Sequence, residues 1–564
     1  MSNNKILFTQ EEQNTHKNNK NKDVSTQIAH DILTQKRSVP SRSNYVDVAK
    51  LLKRENKVNQ ATKLLQEGAN IHSMSLSIHA ELMKIYIRKK NLKAIAMHLP
   101  RTVKNIPRRK ESTLYYKLYK YLVCKRHYVE ADEILQLVIK KDPTNEMLRF
   151  EFAQLALAEK NWPKAIQRIE ELVQFLGEEV PASVLVDLSI AYQIVGDHSK
   201  AELLFAECLT KYKEEIPNLF DNGYRKVVLF DNGESRIEFY KYIEPTKTVF
   251  ATFDAIDKTW ERTPFAFNLL KRKQVDLISL RRRTTKNYHQ DLSREEYYDT
   301  VAKLATGYDK KFSYGTSLGG YGALYFGSTI DCNILALSPR NSAHPNHGSK
   351  MRAYTEFTHG LEHPYNPGIS PTIMYDPKDP IDSKYMKKVI QKAYPNAKFI
   401  YFPYAGHRIS IYLSQVGILK DIVSKFMAEE EIPNYERVLR LKSTEYHRIL
   451  AIHCARTKKK NWALQLTEQS IQLSPTYDRP RLLKVELLRD LNRIDEAFEA
   501  AYAGLELFPQ YTRLHLLLIS LLEQQDRLPE AIEAVDHALQ SSKSAKLREK
   551  REELLAKAET LATI

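Results

Sequence analysis

Glycine is scarce in this chain, with 17 among 564 residues. Cysteine is scarcer: Cys124, Cys208, Cys332 and Cys454 are scattered and form no CxxC pair. Such spacing argues against a zinc site and against a disulfide framework, and for reduced thiols in a cytosol. No uninterrupted apolar run approaches the roughly 20 residues that a membrane helix needs. The opening stretch MSNNKILFTQEEQNTHKNNKNK has no apolar h-region of a secretory signal. A cytoplasmic protein without a membrane span is therefore expected. No HExxH-type ligand spacing appears among the histidines, so neither a metal nor a cofactor is expected.

What the chain has in excess is positive charge, a formal +17. Basic runs stand at Arg108–Lys110, Arg281–Arg283 and Lys458–Lys460. Dispersed Lys and Arg read first as a solvated surface. The same field would attract nucleic acid, anionic lipid or acidic polysaccharide, and charge alone does not choose among them. No nucleic-acid-binding motif is present, so nucleic acid is not the expected partner.

Residues 1–40 are polar and read as disordered, with at most a short helix over Ser25–Leu33. From there to residue 216 the pattern is helical and repeats. YVEADEILQLVIKKDP places Ala131 and Pro143, and NWPKAIQRIEELV places Ala165 34 positions after Ala131. Ala201 falls two residues beyond the next expected position, and Ala61 and Ala94 are spaced 33. A small residue recurring at this interval marks the close crossing of two helices in a hairpin unit. The signal returns over residues 431–564, where Ala463, Ala497 and Ala531 are spaced 34 and 34. The period resembles that of the tetratricopeptide repeat, a helix–turn–helix unit of about 34 residues.

Between the two arrays, residues 217–430 change period. Short β-rich runs alternate with helical stretches: VVLF (227–230), TVFATF (248–253), VDLISL (275–280), KKFSYG (310–315), NILALS (333–338), TIMYD (372–376) and KFIYFPY (398–404). That alternation predicts a mostly parallel sheet with helices on both faces.

The scarce glycines concentrate at YGTSLGGYG, where Gly315, Gly319, Gly320 and Gly322 surround Ser317. KKFSYG reads as a strand and LGGYGALYFGS as a helix start. Gly315-Thr316-Ser317-Leu318-Gly319 thus fits G-x-S-x-G at a strand-to-helix turn, the nucleophile elbow. Asp376, Asp379 and Asp382 follow the strand TIMYD, and His407 follows KFIYFPY. The chain order is Ser, Asp, His, each at the C-terminal end of a predicted strand.

At these residues the segment resembles an α/β-hydrolase of the serine-esterase type. The resemblance implies Ser317 as nucleophile, His407 as general base and then acid, and an aspartate that orients the imidazole. It points to Asp379, because the family's acid commonly follows a glycine by three positions. Asp376 stands where that glycine would be and is the competing acid; Asp382 ranks behind both. The implied oxyanion hole combines the Leu318 N–H with one from the loop after TVFATF, near Asp254 and Ala255, although no HGGG-type sequence occurs there. His344, His347, His359 and His363 lie in the connection between NILALS and TIMYD, which often forms a lid in such proteins. Tyr288 and His289 could line the pocket, and Arg281–Arg283 read as a basic surface loop or a contact for an anionic substrate.

The expected function is a serine hydrolase that cleaves an ester through an acyl-serine intermediate. The elbow sequence is similar to those of hydrolase domains found with bacterial surface-polysaccharide synthesis, which would fit a glycan-linked ester. Acyl transfer by the same triad is the close alternative. A tetratricopeptide-like scaffold carrying an inactive hydrolase domain is the other. Helical repeats of this type bind peptides or proteins, so a protein partner or self-association is also expected.

Overall fold

The computed structural model describes residues 41–562, except 74, 90, 92–118, 121, 257–258, 285–287, 348–355 and 363. The expectations for residues 1–40, Ala94, Arg108–Lys110 and His363 lie outside the described residues. The chain divides into two compact units: Met1–Val195 with Leu203–Cys208, and Gly196–Glu202 with Leu209–Ile564.

The first unit is helical where it is described. Antiparallel pairs run through Arg42–Arg54, Val58–Ile71 and Leu76–Arg88, then through Tyr128–Lys141, Glu146–Glu159, Trp162–Leu176 and Ala182–Val195. Ala61, Ala131 and Ala165 are completely buried. A larger side chain at any of them would push two packed helices apart. Asn145 and Asn161 cap their helices by accepting the Leu148 and Lys164 N–H groups.

The second unit contains an eight-stranded sheet ordered β1-β2-β4-β3-β5-β6-β7-β8. The strands are β1 (Tyr224–Asp231), β2 (Ser235–Tyr242), β3 (Thr248–Phe253), β4 (Asp276–Arg282), β5 (Lys310–Thr316), β6 (Asn333–Leu337), β7 (Thr372–Tyr375) and β8 (Lys398–Tyr401). β2 runs antiparallel to β1 and β4, and β4-β3-β5-β6-β7-β8 run parallel. The central strands are continuous apolar runs because both of their faces are covered. Phe250, Phe312, Leu335 and Met374 share one core with Leu413 and Ile422 of the following helices.

Helices Thr444–Arg456, Lys460–Leu473, Arg479–Asp490, Ile494–Leu507, Thr512–Gln524, Leu528–Ser541 and Ala545–Ala562 complete this unit. Lys460, Ile494 and Leu528 open successive second helices of the hairpins, and Ala463, Ala497 and Ala531 inside them are completely buried. The repeat core is continuous with the sheet core: Tyr446 belongs to the sheet's cluster, and Leu450 packs against both. Gln415 ties the junction by accepting from the Ser443 hydroxyl at 2.7 Å and the Glu445 N–H at 3.0 Å.

One expectation fails in β4. Arg281 and Arg282 are not on a basic surface loop: both are buried within β4, and only Arg283 of the run is exposed. Arg281 is held by Asp254 (2.6 Å) and Glu238 (3.2 Å), also buried. Pairing removes the cost that excludes lone charges from a core.

Candidate active site

The site is built at the edge where β3, β5, β6, β7 and β8 end. β5 ends at Thr316 and a helix begins at Leu318, leaving Ser317 alone to turn the chain at φ 55°, ψ −118°. Such a backbone is strained for a residue with a side chain, and strain of this kind persists where the surroundings over-determine it. They do so here. A Cβ on Gly315 would meet the Gly319 carbonyl oxygen at 2.1 Å, and one on Gly319 would meet the Phe253 oxygen at 2.2 Å. The Ser317 N–H donates to Leu337 O (2.9 Å), and the Arg340 N–H donates to Ser317 O (3.0 Å). Leu318 opens the helix, so its N–H has no intrahelical acceptor.

His407 sits in the loop after β8. Its Nε2 lies 2.8 Å from Ser317 Oγ. Its Nδ1 lies 2.7 and 2.9 Å from the two oxygens of Asp382. The structure therefore brings together Ser317, His407 and Asp382, and corrects the choice of acid. Asp379 is the N-cap of helix Pro380–Tyr385, its Oδ1 accepting the Ile381 and Asp382 N–H groups at 3.0 Å each. The first helical turn then carries Asp382 inward, where it is fully buried.

Asp376 does not face the imidazole either. Its oxygens accept the N–H groups of Lys378 (2.8 Å), Tyr404 (3.0 Å) and Gly406 (2.8 Å), which fastens the β7 loop to the loop bearing His407. Burial raises its carboxyl above the usual range, and these N–H bonds only partly offset that.

Sequence reasoning missed Arg340, which donates from Nη1 to Asp382 Oδ1 at 2.8 Å. Asp382 thus lies between a guanidinium and the imidazole, and its Oδ1 meets both. The available signal was position: Arg340 follows β6 on the same edge as Ser317.

Ala255 and Ile256, after β3, line the same cavity as Ser317 and His407, which has a volume of about 590 Å³. The Ala255 carbonyl accepts from Arg282 Nη2 at 2.6 Å, and Asp254 accepts the Phe265 N–H at 3.1 Å, so this loop is anchored from beneath. Tyr288 and His289 are buried and do not line this cavity; Tyr288 packs with Leu318 and Ala343 behind it. His289 lies with Nδ1 3.2 Å from Ser235 Oγ. His344 stacks obliquely on His347 and lies edge-on to Tyr385, and His359 stacks on Tyr325 at 4.5 Å. No metal-binding group of His, Cys, Asp or Glu occurs among the described residues. No helix among them is long and apolar enough to cross a membrane.

No family model matches the chain, and no curated protein matches it. Similar solved structures include YrrB, a TPR protein with an unusual peptide-binding site: 16% identity, 30% of this chain and 86% of that one, TM-score 0.20. Yeast Tom70 aligns over 93% of this chain and 96% of its own at 11% identity and TM-score 0.21. A CIB-like hydrolase from Thermoplasma acidophilum aligns over 36% of this chain and 98% of its own at 12% identity and TM-score 0.24.

Proposed function

We propose that residues 217–430 form a serine hydrolase of the α/β-hydrolase type, cleaving an ester through an acyl-Ser317 intermediate. One observation carries this reading: the strained Ser317 places its hydroxyl 2.8 Å from His407 Nε2, while Nδ1 meets buried Asp382. The order Ser317, Asp382, His407 along the chain is that of this hydrolase class.

In this mechanism His407 Nε2 takes the Ser317 proton as Oγ attacks the ester carbonyl carbon. Asp382 accepts from Nδ1–H, fixing the tautomer that leaves Nε2 free to act as a base. The Leu318 N–H and an N–H of the Ala255–Ile256 loop face the developing oxyanion. One such donor is worth on the order of 3 kcal/mol. Collapse breaks the ester C–O bond, and His407 returns the proton to the departing alcohol. Water, deprotonated by His407, then attacks the acyl-serine and releases the acid. An alcohol in place of that water would make the same intermediate an acyl donor. The helical repeats are proposed to bind a peptide or protein partner on their concave surfaces.

A fluorophosphonate probe with an intact-mass readout tests this reading. One adduct on the wild-type chain and none on a folded Ser317→Ala variant is the expected result. A folded wild-type chain that takes no adduct would refute it.

A further inference from the structure

The cavity beside Ser317 is closed on one side by a single face of the first helix after the sheet domain. Glu445, Arg448, Ile449, Ile452, His453 and Arg456 line it. Their spacing of three and four residues places them all on one stripe of helix Thr444–Arg456. Arg479, which opens the third helix of the array, joins them. The sheet domain contributes Lys378 and Arg408, the latter adjacent to His407.

Two of the cations at this cavity are already neutralised. Arg340 is paired with Asp382, and Arg448 forms a two-point pair with Glu445 at 2.9 and 2.6 Å. Glu445 stays ionised: burial would raise its carboxyl, but the hydrogen bond and charge of Arg448 hold it below the usual range. Lys378, Arg408, Arg456 and Arg479 make no salt bridge among the described residues. The remaining carboxylate of the cavity, Asp379, spends its Oδ1 on capping. Arg408 and Arg479 are moreover half-buried. Glu445, already paired with Arg448, is the one carboxylate that also feels the charge of Arg479, so the cations at this cavity outnumber its carboxylates, and a bound anion would offset the cost of keeping Arg408 and Arg479 partly desolvated.

We infer that the ester substrate is anionic, and that the first C-terminal repeat helices supply part of its binding site through Arg456 and Arg479, with Arg408 and Lys378 opposite. This rests on the hydrolase reading above and adds the substrate's charge. The group recognised is a carboxylate, phosphate or sulfate carried on the ester's acid or alcohol portion.

The test compares matched ester pairs on the full chain: 4-nitrophenyl butyrate against 4-nitrophenyl hemisuccinate for the acid side, and phenyl acetate against 4-acetoxybenzoate for the alcohol side. Expected is a higher kcat/KM for the anionic member of at least one pair, by roughly tenfold or more, the effect of a charge-assisted hydrogen bond. Arg456→Ala with Arg479→Ala should bring that ratio close to one, and added salt should reduce it. Lys458→Ala, an exposed cation that does not line the cavity, should leave the ratio unchanged. If a fluorophosphonate labels Ser317 but neither anionic ester is preferred, the inference falls and the hydrolase reading stands. If Ser317 is not labelled, both fall.

Discussion

Ile449, on the first helix of the C-terminal array, occupies the space a side chain on Gly406 would enter: a Cβ there would meet Ile449 Cδ1 and Cγ1 at 2.8 Å. Gly406 immediately precedes His407 and has φ +70°. The repeat helix thus buttresses the loop that carries the imidazole. Gly406→Ala is expected to destabilise the second unit by about 1–2 kcal/mol, mainly through the left-handed backbone. It should also lower ester turnover. The end of an isoleucine side chain can yield, so the double variant with Ile449→Ala should recover only a minor part. Urea unfolding of the two variants measures the split; full recovery in the double variant would make the contact, not the backbone, the dominant cost.

The neighbouring carboxylates Asp379 and Asp382 should separate cleanly in kinetics. Asp382→Asn keeps the shape but removes the acceptor that selects the His407 tautomer. A fall in kcat of about 10³–10⁴ is expected for loss of such a carboxylate. Asp379→Asn retains a good helix cap and should cost at most a few tenths of a kcal/mol. Turnover of a neutral aryl ester by both variants decides the matter. Equal losses would return Asp379 to the site.

The elbow was legible in sequence because only glycine satisfies the contacts at Gly315 and Gly319. The parallel strands were legible because burial on both faces demands apolar runs. β2 was not, because SRIEFYKY alternates charges that read as solvent-facing. In the structure Glu238 is buried, accepting from Arg281 and from the Tyr240 hydroxyl at 2.6 Å. Such partners come from strands distant in sequence, so no local pattern announces them. The carboxylate that meets the His407 imidazole was not legible for a related reason. Asp379 and Asp382 are a cap and an inward-facing residue of one helical turn, and only the position of His407 tells them apart.

Acid should weaken the second unit through His359. Burial lowers its pKa from 6.5 to about 4, the hydrogen bond to Leu292 O (2.8 Å) offsetting only part. The folded value lies below the unfolded one, so the contribution is complete above about pH 6.5. It is lost progressively as pH falls towards 4, because the unfolded chain binds the proton first. The lowering corresponds to roughly 3 kcal/mol at 1.36 kcal/mol per unit. His359→Gln, which keeps a donor for Leu292 O, should flatten the pH dependence of the urea midpoint over this window. An unchanged slope would place the acid sensitivity elsewhere.

Arg281 carries a larger consequence, because one guanidinium fixes both the buried charges and the loop after β3. Besides Asp254 and Glu238, its Nη2 donates to Thr259 O at 2.9 Å and to Arg262 O. Arg281→Met removes all four contacts and takes the nearest counter-charge from both Asp254 and Glu238, leaving Glu238 only its longer pairs with Lys226 (3.7 Å) and Arg236 (3.8 Å). Breaking a buried pair from one side costs about 3–5 kcal/mol. Glu238 retains the Tyr240 hydroxyl and Asp254 retains the Phe265 N–H, which places the expected loss near the lower end. Arg281→Lys should rescue little, since a single ammonium cannot span these acceptors as the planar fork does. Because Ala255 follows Asp254, ester turnover should fall more than stability alone explains when assayed well below the unfolding midpoint. Normal turnover by a folded Arg281→Met chain would mean that the loop needs no anchor and that its N–H groups do not form the oxyanion site.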